Sequence, residues 1–125
     1  MKIAVTARAN NLESEIDPRF GRCSSFLIID TETMNFTSIS NESNMASGGA
    51  GIQAAQTIAK TGANVVITGN IGPNAFQTLQ AAGIKVITGV NGLVTDIIKR
   101  YKNGEFKETN APSVGSHFGT GNPRG

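Results

Sequence analysis

An internal repeat constrains the fold of this 125-residue chain more than any other feature of its sequence. The segments VITGNIG (Val66–Gly72) and VITGVNG (Val86–Gly92) lie 20 residues apart. Each segment predicts a strand that ends in Thr-Gly, followed by a short turn and a glycine that precedes a helix. Two such units in succession predict parallel strands that are joined by a right-handed crossover.

Each helix of the repeat has an apolar face that can pack against a sheet. Pro73 is expected near the start of the first helix, where its missing N–H has no helical partner to lose. A further helix is predicted upstream, beginning at Ala50, with Ser47 as its N-cap and Gly62 after its end. The apolar faces of the repeat helices consist of Phe76, Leu79 and Ala82 in the first and of Val94, Ile97, Ile98 and Tyr101 in the second.

Three strands are predicted before these helices. KIAVTA (Lys2–Ala7) and SFLIID (Ser25–Asp30) are rich in strand-favouring residues, and NFTSIS (Asn35–Ser40) follows the second strand as its hairpin partner. The order βββαβαβα fits an α/β fold with a mixed five-stranded sheet in the spatial order 3-2-1-4-5. Strand 2 would be antiparallel to the rest, and about three helices would cover the faces of the sheet, as in a ribonuclease H-like arrangement.

Composition narrows the functional classes. The formal net charge is +2, and no cluster of Lys and Arg indicates a nucleic-acid-binding surface. A single cysteine cannot form an internal disulfide, which suits a reducing compartment, and the start of the chain has no long apolar run. We therefore expect a cytoplasmic monomer or homodimer without membrane or nucleic-acid partners. One α/β domain is expected over residues 1–107, followed by a flexible Gly-rich tail over residues 108–125.

The predicted topology brings several loops to one edge of the sheet. The carboxyl ends of strands 1, 3, 4 and 5 would share this edge, where open α/β sheets usually bind ligands. Arg19 and Arg22 precede the cysteine, Cys23, and nearby positive charge favours a thiolate, which is a soft metal ligand. Helix starts after Gly48–Gly51 and Gly72 offer backbone N–H groups to an anion. The combination predicts a site for an anionic metal–sulfur cluster.

These features also have structural interpretations. A lone cysteine is most often an inert small side chain, and glycine-rich turns are usual between strands and helices. Asp17 is either a turn residue or a partner for Arg19. His117 lies in the tail and is solvated by default, although the tail is long enough for it to reach the site as a second metal ligand.

Other functions stay open from the residues alone. A nucleotide- or anion-binding regulatory module would use the same helix starts and would bind phosphate independently of Cys23. A nuclease-like enzyme is less favoured, because it needs clustered carboxylates with one on the first strand, and KIAVTA has none. A cysteine-dependent enzyme would need a base beside Cys23, and the only histidine is in the tail.

Three segments carry a resemblance to a known family. DPRFGRCSSFLIID, GGAGIQAAQTIAKTGANVVITGNIGPNAFQTLQAAGIKV and VTDIIKRYKNGEF occur in this order. On these segments the chain resembles the dinitrogenase iron-molybdenum cofactor-binding family, as a small stand-alone member, from about Met1 to Phe106. The resemblance implies a ribonuclease H-like fold and non-catalytic, non-covalent binding of an iron–sulfur or iron–molybdenum–sulfur cluster. It also implies a role in cofactor assembly or storage related to nitrogen fixation, with cluster donor and acceptor proteins as partners.

The motifs and the resemblance together give the candidate site. The predicted metal ligands are Cys23 and His117. One thiolate cannot hold a conventional four-cysteine cluster, so the cluster would arrive preassembled, or a dimer would supply two thiols. The predicted cofactor-binding residues are Arg8, Arg19, Phe20, Gly21, Arg22, Gly48, Gly49, Gly51, Gly69, Asn70, Gly72 and Asn74.

Overall fold

A mixed five-stranded sheet lies at the centre of the structure, a computed structural model that describes residues 1–41 and 49–112. Helices cover both faces of the sheet. The strands are β1 (Lys2–Ala7), β2 (Ser25–Asp30), β3 (Phe36–Ser40), β4 (Val65–Ile67) and β5 (Lys85–Ile87), and the helices are α1 (Ala50–Ala59), α2 (Pro73–Ala81) and α3 (Val94–Lys102).

The strand order is β3-β2-β1-β4-β5, which confirms the predicted topology. The β2–β3 pair is the expected antiparallel hairpin, and β1 also runs antiparallel to β2. The repeat supplies β4 and β5, which pair in parallel, with β4 parallel to β1 on its other side. Each repeat strand is only three residues long and ends before its Thr-Gly pair. The Thr-Gly pairs therefore belong to the loops at the carboxyl edge of the sheet.

The two faces of the sheet form two cores. Strand β1 contributes to both, because Ala4 points to one face while Ile3 and Val5 point to the other. Helices α1 and α2 pack over the first face, and α3 packs over the second. Burial on both faces explains why β1 and β2 contain almost continuous runs of buried residues. None of the helices in the described ranges is both long and apolar enough to cross a membrane.

Two predicted helix ends are wrong. The N-cap of α1 is Gly49, in a left-handed conformation with φ 73° that glycine adopts at no steric cost. The N-cap position is therefore that of Gly49, and Ser47, the predicted cap, lies outside the described residues. Ala82 is not part of the apolar face of α2, because the helix ends one residue earlier and leaves Ala82 exposed as its C-cap. The chain turns there, since Gly83 has φ 78°.

Packing continues past residue 107, where the domain is predicted to end. The N–H of Thr109 donates to the carbonyl oxygen of Val86 at 2.7 Å. The hydroxyl of Thr109 accepts from the N–H of Thr88 at 2.9 Å. These two bonds hold Thr109 beside the carboxyl end of β5. Residues 113–125, the rest of the predicted tail, lie outside the described residues.

Candidate functional site

A cavity of about 350 Å³ lies where the N-termini of α1 and α2 meet the loop that follows β1. It is at the edge of the sheet formed by the carboxyl ends of β1 and β4, which are parallel neighbours. This is the position at which an open α/β sheet usually binds a ligand. The residues that line the cavity are Arg19, Phe20, Gly21, Gly49, Gly51, Ile52, Asn70, Ile71, Gly72, Pro73, Asn74 and Ala75.

Most of the predicted cofactor-binding residues line this cavity. Four predicted site residues that the structure describes do not line it, namely Arg8, Arg22, Cys23 and Gly69. Gly48 and His117 lie outside the described residues. The residues brought together are Arg19, Phe20, Gly21, Gly49, Gly51, Asn70, Gly72 and Asn74.

Four lining residues were missed by the motif analysis. Ile52, Pro73 and Ala75 occupy the first turns of α1 and α2, and Ile71 lies between two predicted glycines. Their position in the sequence was a signal that could have identified them. The first turn of a helix lies beside the glycine-rich loop that precedes it, so both can line the same cavity. The apolar side chains of Ile52 and Ala75 gave the opposite indication and favoured a role in the core, whereas Pro73 was predicted only as the start of a helix.

A short pairing between two loops fixes the position of Arg19. The N–H of Asn70 donates to the carbonyl of Pro18 at 2.7 Å, and the N–H of Phe20 donates to the carbonyl of Asn70 at 3.2 Å. Gly69 permits this approach, because a Cβ at that position would lie 2.7 Å from the Cα of Pro18. Gly69 therefore shapes the site from outside the cavity.

Small residues bring the two helix N-termini together. A Cβ on Gly21 would lie 3.0 Å from the backbone nitrogen of Gly51, so the loop after β1 packs directly on the start of α1. A Cβ on Gly51 would in turn lie 3.2 Å from the Cβ of Ala75 in α2. Larger side chains at these positions would push the helix starts apart and change the shape of the cavity.

The two helix starts are suited to an anion. The first intrahelical bonds run from Gln53 N–H to Gly49 in α1 and from Phe76 N–H to Gly72 in α2. The amides that precede Gln53 and Phe76, those of the first turns, have no acceptor within their own helices. Both N-cap residues are glycines, Gly49 and Gly72, which have no side chain to act as a cap, and neither helix has an acidic residue in its first turn. The partial positive charges of both helix dipoles are therefore directed at the cavity.

The start of α3, in the second copy of the repeat, is different. The N–H of Val94 donates to the carbonyl of Ser14 at 2.9 Å, and the N–H of Thr95 donates to the carbonyl of Leu12 at 3.0 Å. The loop after β1 thus accepts hydrogen bonds from the first two amides of α3, those of Val94 and Thr95. The two Thr-Gly units have similar sequences, but within the described residues this cavity involves the first of them.

Asp17 is both a turn residue and the partner of Arg19. One carboxylate oxygen of Asp17 accepts from the backbone N–H of Arg19 at 2.9 Å and from its Nε at 3.2 Å. The Asp17 side chain is 3% exposed, whereas that of Arg19 is 62% exposed. The hydrogen bond to Asp17 and the charge of that carboxylate raise the pKa of Arg19. Arg19 is thus a cation in a set orientation at the wall of the cavity.

The thiol of Cys23 does not match its predicted state. Cys23 is fully buried in the core under α1 and α2, and its Sγ donates to the carbonyl of Phe20 at 3.3 Å. Burial, and secondly the charge of Asp17, raises the pKa of Cys23 from an ordinary 9.0 to about 12. The expected arginine-stabilised thiolate is therefore wrong: Arg8 and Arg22 are exposed, and the loss of hydration opposes ionisation. The side-chain amide of Asn41, which follows β3, donates to the carbonyls of Gly21 and Cys23 and so fixes the end of the loop after β1.

The donors at the cavity are thus amides and a guanidinium. Within residues 1–41 and 49–112, no group of three or more His, Cys, Asp and Glu side chains is placed to hold a metal ion. The described site can bind an anion by charge and hydrogen bonds, without a protein ligand to a metal.

Comparisons with known proteins identify the family of this chain. A family model described as dinitrogenase iron-molybdenum cofactor matches residues 1–104. The uncharacterized protein MJ0580 of Methanocaldococcus jannaschii is 32% identical over 111 residues, which cover 86% of this chain and 91% of that protein.

Two solved structures are similar to the whole described fold. The apo form of the orange protein from Desulfovibrio gigas has a TM-score of 0.86 and 46% identity, covering 89% of this chain and 94% of that chain. A NifB-like protein of the DUF35 family from Thermotoga has a TM-score of 0.75 and 33% identity, covering 86% and 91%. The family and these neighbours indicate a small cofactor-binding or carrier protein.

Proposed function

Because the chain belongs to the dinitrogenase iron-molybdenum cofactor family, we propose that it is a non-catalytic carrier or storage protein. Its cargo is an anionic iron–sulfur or iron–molybdenum–sulfur cluster. The cluster occupies the cavity between α1 and α2. The observation that carries this proposal is the convergence of two helix N-termini, each with a glycine at its N-cap, and the guanidinium of Arg19 on one cavity.

The charges of the cavity support an anionic cargo. Each helix start contributes about half a positive charge, and each presents backbone N–H donors at fixed positions. Arg19 adds a guanidinium beside them, with its charge partly offset by the Asp17 carboxylate and its remaining N–H groups available as donors. Hydrogen bonds to a charged acceptor are roughly twice as strong as those between neutral groups. A multiply charged cluster would use more of these donors than a monovalent ion.

The walls of the cavity support a sulfur-rich cargo. Phe20, Ile52 and Ile71 present apolar surface beside the polar donors. An anion must lose water to rest against such surface, and the loss is most costly for a small, strongly hydrated ion. A metal–sulfur cluster spreads its charge over several soft sulfur atoms, which favours its transfer to this cavity over that of a compact oxyanion.

The proposal does not use Cys23 as an anchor. A buried thiol that keeps its proton at neutral pH is a poor metal ligand, and Cys23 does not line the cavity. The cluster would therefore be assembled on a donor protein, carried without covalent bonds and passed to an acceptor. We also propose a ribonuclease H-like classification for the fold. A reducing, cytoplasmic location is part of the same proposal, because such clusters persist where thiols stay reduced.

The alternative is a regulatory module that binds a nucleotide or a simple anion. Paired helix N-termini also bind phosphate, so the same donors support this function. The loop before α1 lacks the Gly-Lys-Ser/Thr sequence of a phosphate-binding loop, which favours the cluster. A nuclease-like function has less support, since β1 carries no carboxylate.

An anaerobic binding experiment tests the proposal. The purified protein is offered iron and sulfide with and without molybdate, and separately tetrathiomolybdate, and the absorption spectrum and metal content per chain are recorded. We expect one coloured cluster or thiometallate per chain, and a loss of affinity of about tenfold or more in Arg19→Ala. Arg8→Ala is the matched control, because Arg8 is an exposed arginine of the same loop that does not line the cavity.

Two results would contradict the carrier function. The first is the absence of colour and metal in the wild-type protein under all of these conditions. The second is tighter binding of phosphate or ADP than of tetrathiomolybdate, which would favour the regulatory module. Equal losses in Arg19→Ala and Arg8→Ala would show that the anion responds to net charge alone and would place it outside this cavity.

A further inference from the structure

The contact between Asp17 and Arg19 holds more of the arginine than a surface ion pair would. The carboxylate accepts three hydrogen bonds from Arg19: from the backbone N–H at 2.9 Å, from Nε at 3.2 Å and from Nη2 at 3.3 Å. The side chain and the backbone of Arg19 are therefore held by one group. An arginine with 62% of its side chain exposed would otherwise sample many rotamers.

Asp17 is itself fixed to the sheet. Its backbone N–H donates to the carbonyl of Thr6 at 2.9 Å, and its carbonyl accepts from the Thr6 hydroxyl at 2.6 Å. The hydroxyls of Thr6 and Thr68 lie 2.9 Å apart, and both residues are fully buried. Since the hydrogen of Thr6 is used toward Asp17, Thr68 donates to Thr6. This chain of contacts connects Asp17 to the carboxyl ends of β1 and β4.

The pairing leaves part of the guanidinium available to a ligand. Asp17 uses the edge formed by Nε and Nη2, whereas Nη1 carries two N–H groups that Asp17 does not use. Arg19 lines the cavity, so this remaining edge is the part of the cation that can meet an anion there. A donor whose orientation is set before binding costs less entropy when the ligand arrives.

We propose that Asp17 is a positioning residue for anion binding, which orients the guanidinium of Arg19 toward the cavity. The inference rests on the proposed function, because it concerns the same cavity. The inference can be tested by whether neutralisation of Asp17 weakens or tightens anion binding. A carboxylate that acted only through its charge would repel an anion, so its neutralisation would tighten binding. A carboxylate that positions Arg19 gives the opposite result, and its neutralisation weakens binding.

The test compares Asp17→Asn with Asp30→Asn, using tetrathiomolybdate as the probe under anaerobic conditions. Asp30 is the matched control, because it also accepts a backbone N–H two residues ahead, that of Glu32 at 2.9 Å, and it lies at the opposite edge of the sheet. Both substitutions remove one negative charge and retain an oxygen that can accept in the turn. We expect Asp17→Asn to weaken binding about three- to tenfold and Asp30→Asn to leave it unchanged or slightly tighter.

Two further measurements separate positioning from a loss of folding. In an Arg19→Ala background, Asp17→Asn should no longer weaken binding, since there is no guanidinium left to orient. Arg19→Lys keeps the charge and the native Asp17 but cannot pair through Nε and Nη2, so it should also bind several-fold more weakly. In NMR spectra of the ligand-free protein, the Nε–H signal of Arg19 should be protected from exchange in the wild type and unprotected in Asp17→Asn.

The outcomes distinguish this inference from the function on which it rests. If the wild-type protein binds no tetrathiomolybdate, the anion site is refuted, and the inference with it. If the wild type binds the probe and Asp17→Asn binds it equally well or more tightly, the carrier function stands and the positioning role is overturned. An effect of Asp17→Asn that persists unchanged in the Arg19→Ala background would also overturn it.

Discussion

The start of α1 rests on the start of α2 through Gly51 and Ala75, where a Cβ on the glycine would lie 3.2 Å from the Cβ of the alanine. This spacing brings the two helix N-termini to opposite sides of one cavity. It also means that the shape of the proposed anion site depends on the absence of a side chain at Gly51. The distance between the two dipoles, and so their joint effect on one ligand, is set by this contact.

Replacement of Gly51 by valine should separate the two helices. We expect a loss of about 1–3 kcal/mol in unfolding free energy from the overpacked contact, together with weaker binding of tetrathiomolybdate. Gln56→Val is the matched control, because Gln56 is an exposed position of the same helix and reports the helix propensity of valine alone. Urea unfolding and probe titration of both variants measure the two effects. Equal stability losses would contradict the packing argument.

Gly69→Ala tests the pairing of the two loops. The new Cβ would lie 2.7 Å from the Cα of Pro18, a backbone atom that cannot move aside alone, so we expect a loss of about 1–3 kcal/mol. Gly72→Ala introduces the same methyl group where, among the described residues other than its chain neighbours, no atom lies within 4 Å, and it should cost less than about 1 kcal/mol. The urea midpoints of the two variants compare them directly. A smaller loss for Gly69→Ala than for Gly72→Ala would show that the loops are not held at this distance.

The buried thiol of Cys23 should be chemically silent in the native protein. With a pKa raised to about 12, the folded state holds its proton at pH 8, where an exposed thiol is partly ionised. Ellman's reagent should therefore react slowly with the native protein and rapidly in denaturant. The same shift stabilises the folded state fully below pH about 9, and this contribution is lost as the pH rises from there toward 12. Fast reaction of the native protein at pH 8 would show an accessible thiolate.

Cys23→Ala should affect stability more than binding. Removal of the sulfur leaves a small gap under α1 and α2, and we expect a cost of about 1–2 kcal/mol. Affinity for tetrathiomolybdate should stay within about twofold of the wild type, a change of less than 0.5 kcal/mol by the usual conversion. Loss of metal together with colour in this variant, at full folding by circular dichroism, would restore the cysteine as a ligand.

Thr109 provides a test of where the packed domain ends. In Thr109→Val the N–H of Thr88 loses its acceptor, so we expect a loss of about 1–2 kcal/mol in unfolding free energy. Asn110→Ala is the control, because Asn110 is the exposed neighbour. Thermal or urea unfolding of the full chain distinguishes them. If the two variants are equally stable, the hydroxyl of Thr109 contributes nothing to the fold.

The topology was predictable because it depends on patterns that survive in the sequence. The repeated Val-Ile-Thr-Gly unit determines the parallel pairing of β4 and β5, and the hairpin of β2 and β3 follows from two adjacent strand-forming runs. The end of α2 was less predictable. Ala82 fits the helical period as well as Leu79 does, and only the turn at Gly83 removes it from the helix.

The candidate site was predictable as a group of loops and not as a set of side chains. Glycine positions and the rule for open sheets located the cavity correctly, but the direction of a loop side chain depends on packing. Cys23 and Arg19 lie four residues apart, yet one is buried under α1 and the other lines the cavity. From the sequence, Asp17 could be a turn residue or a partner for Arg19. In the structure its carboxylate has both roles.

The closed start of α3 has a consequence for stoichiometry. A duplicated strand–turn–helix unit would suggest two equivalent receptors, but the carbonyls of Leu12 and Ser14 occupy the second one. The loop after β1 thus limits the number of ligands that the two repeat units can accept, without any change in the sequence of either unit. If this loop were shorter or took another route, the start of α3 would be open to a second ligand without any change in the repeated motif itself.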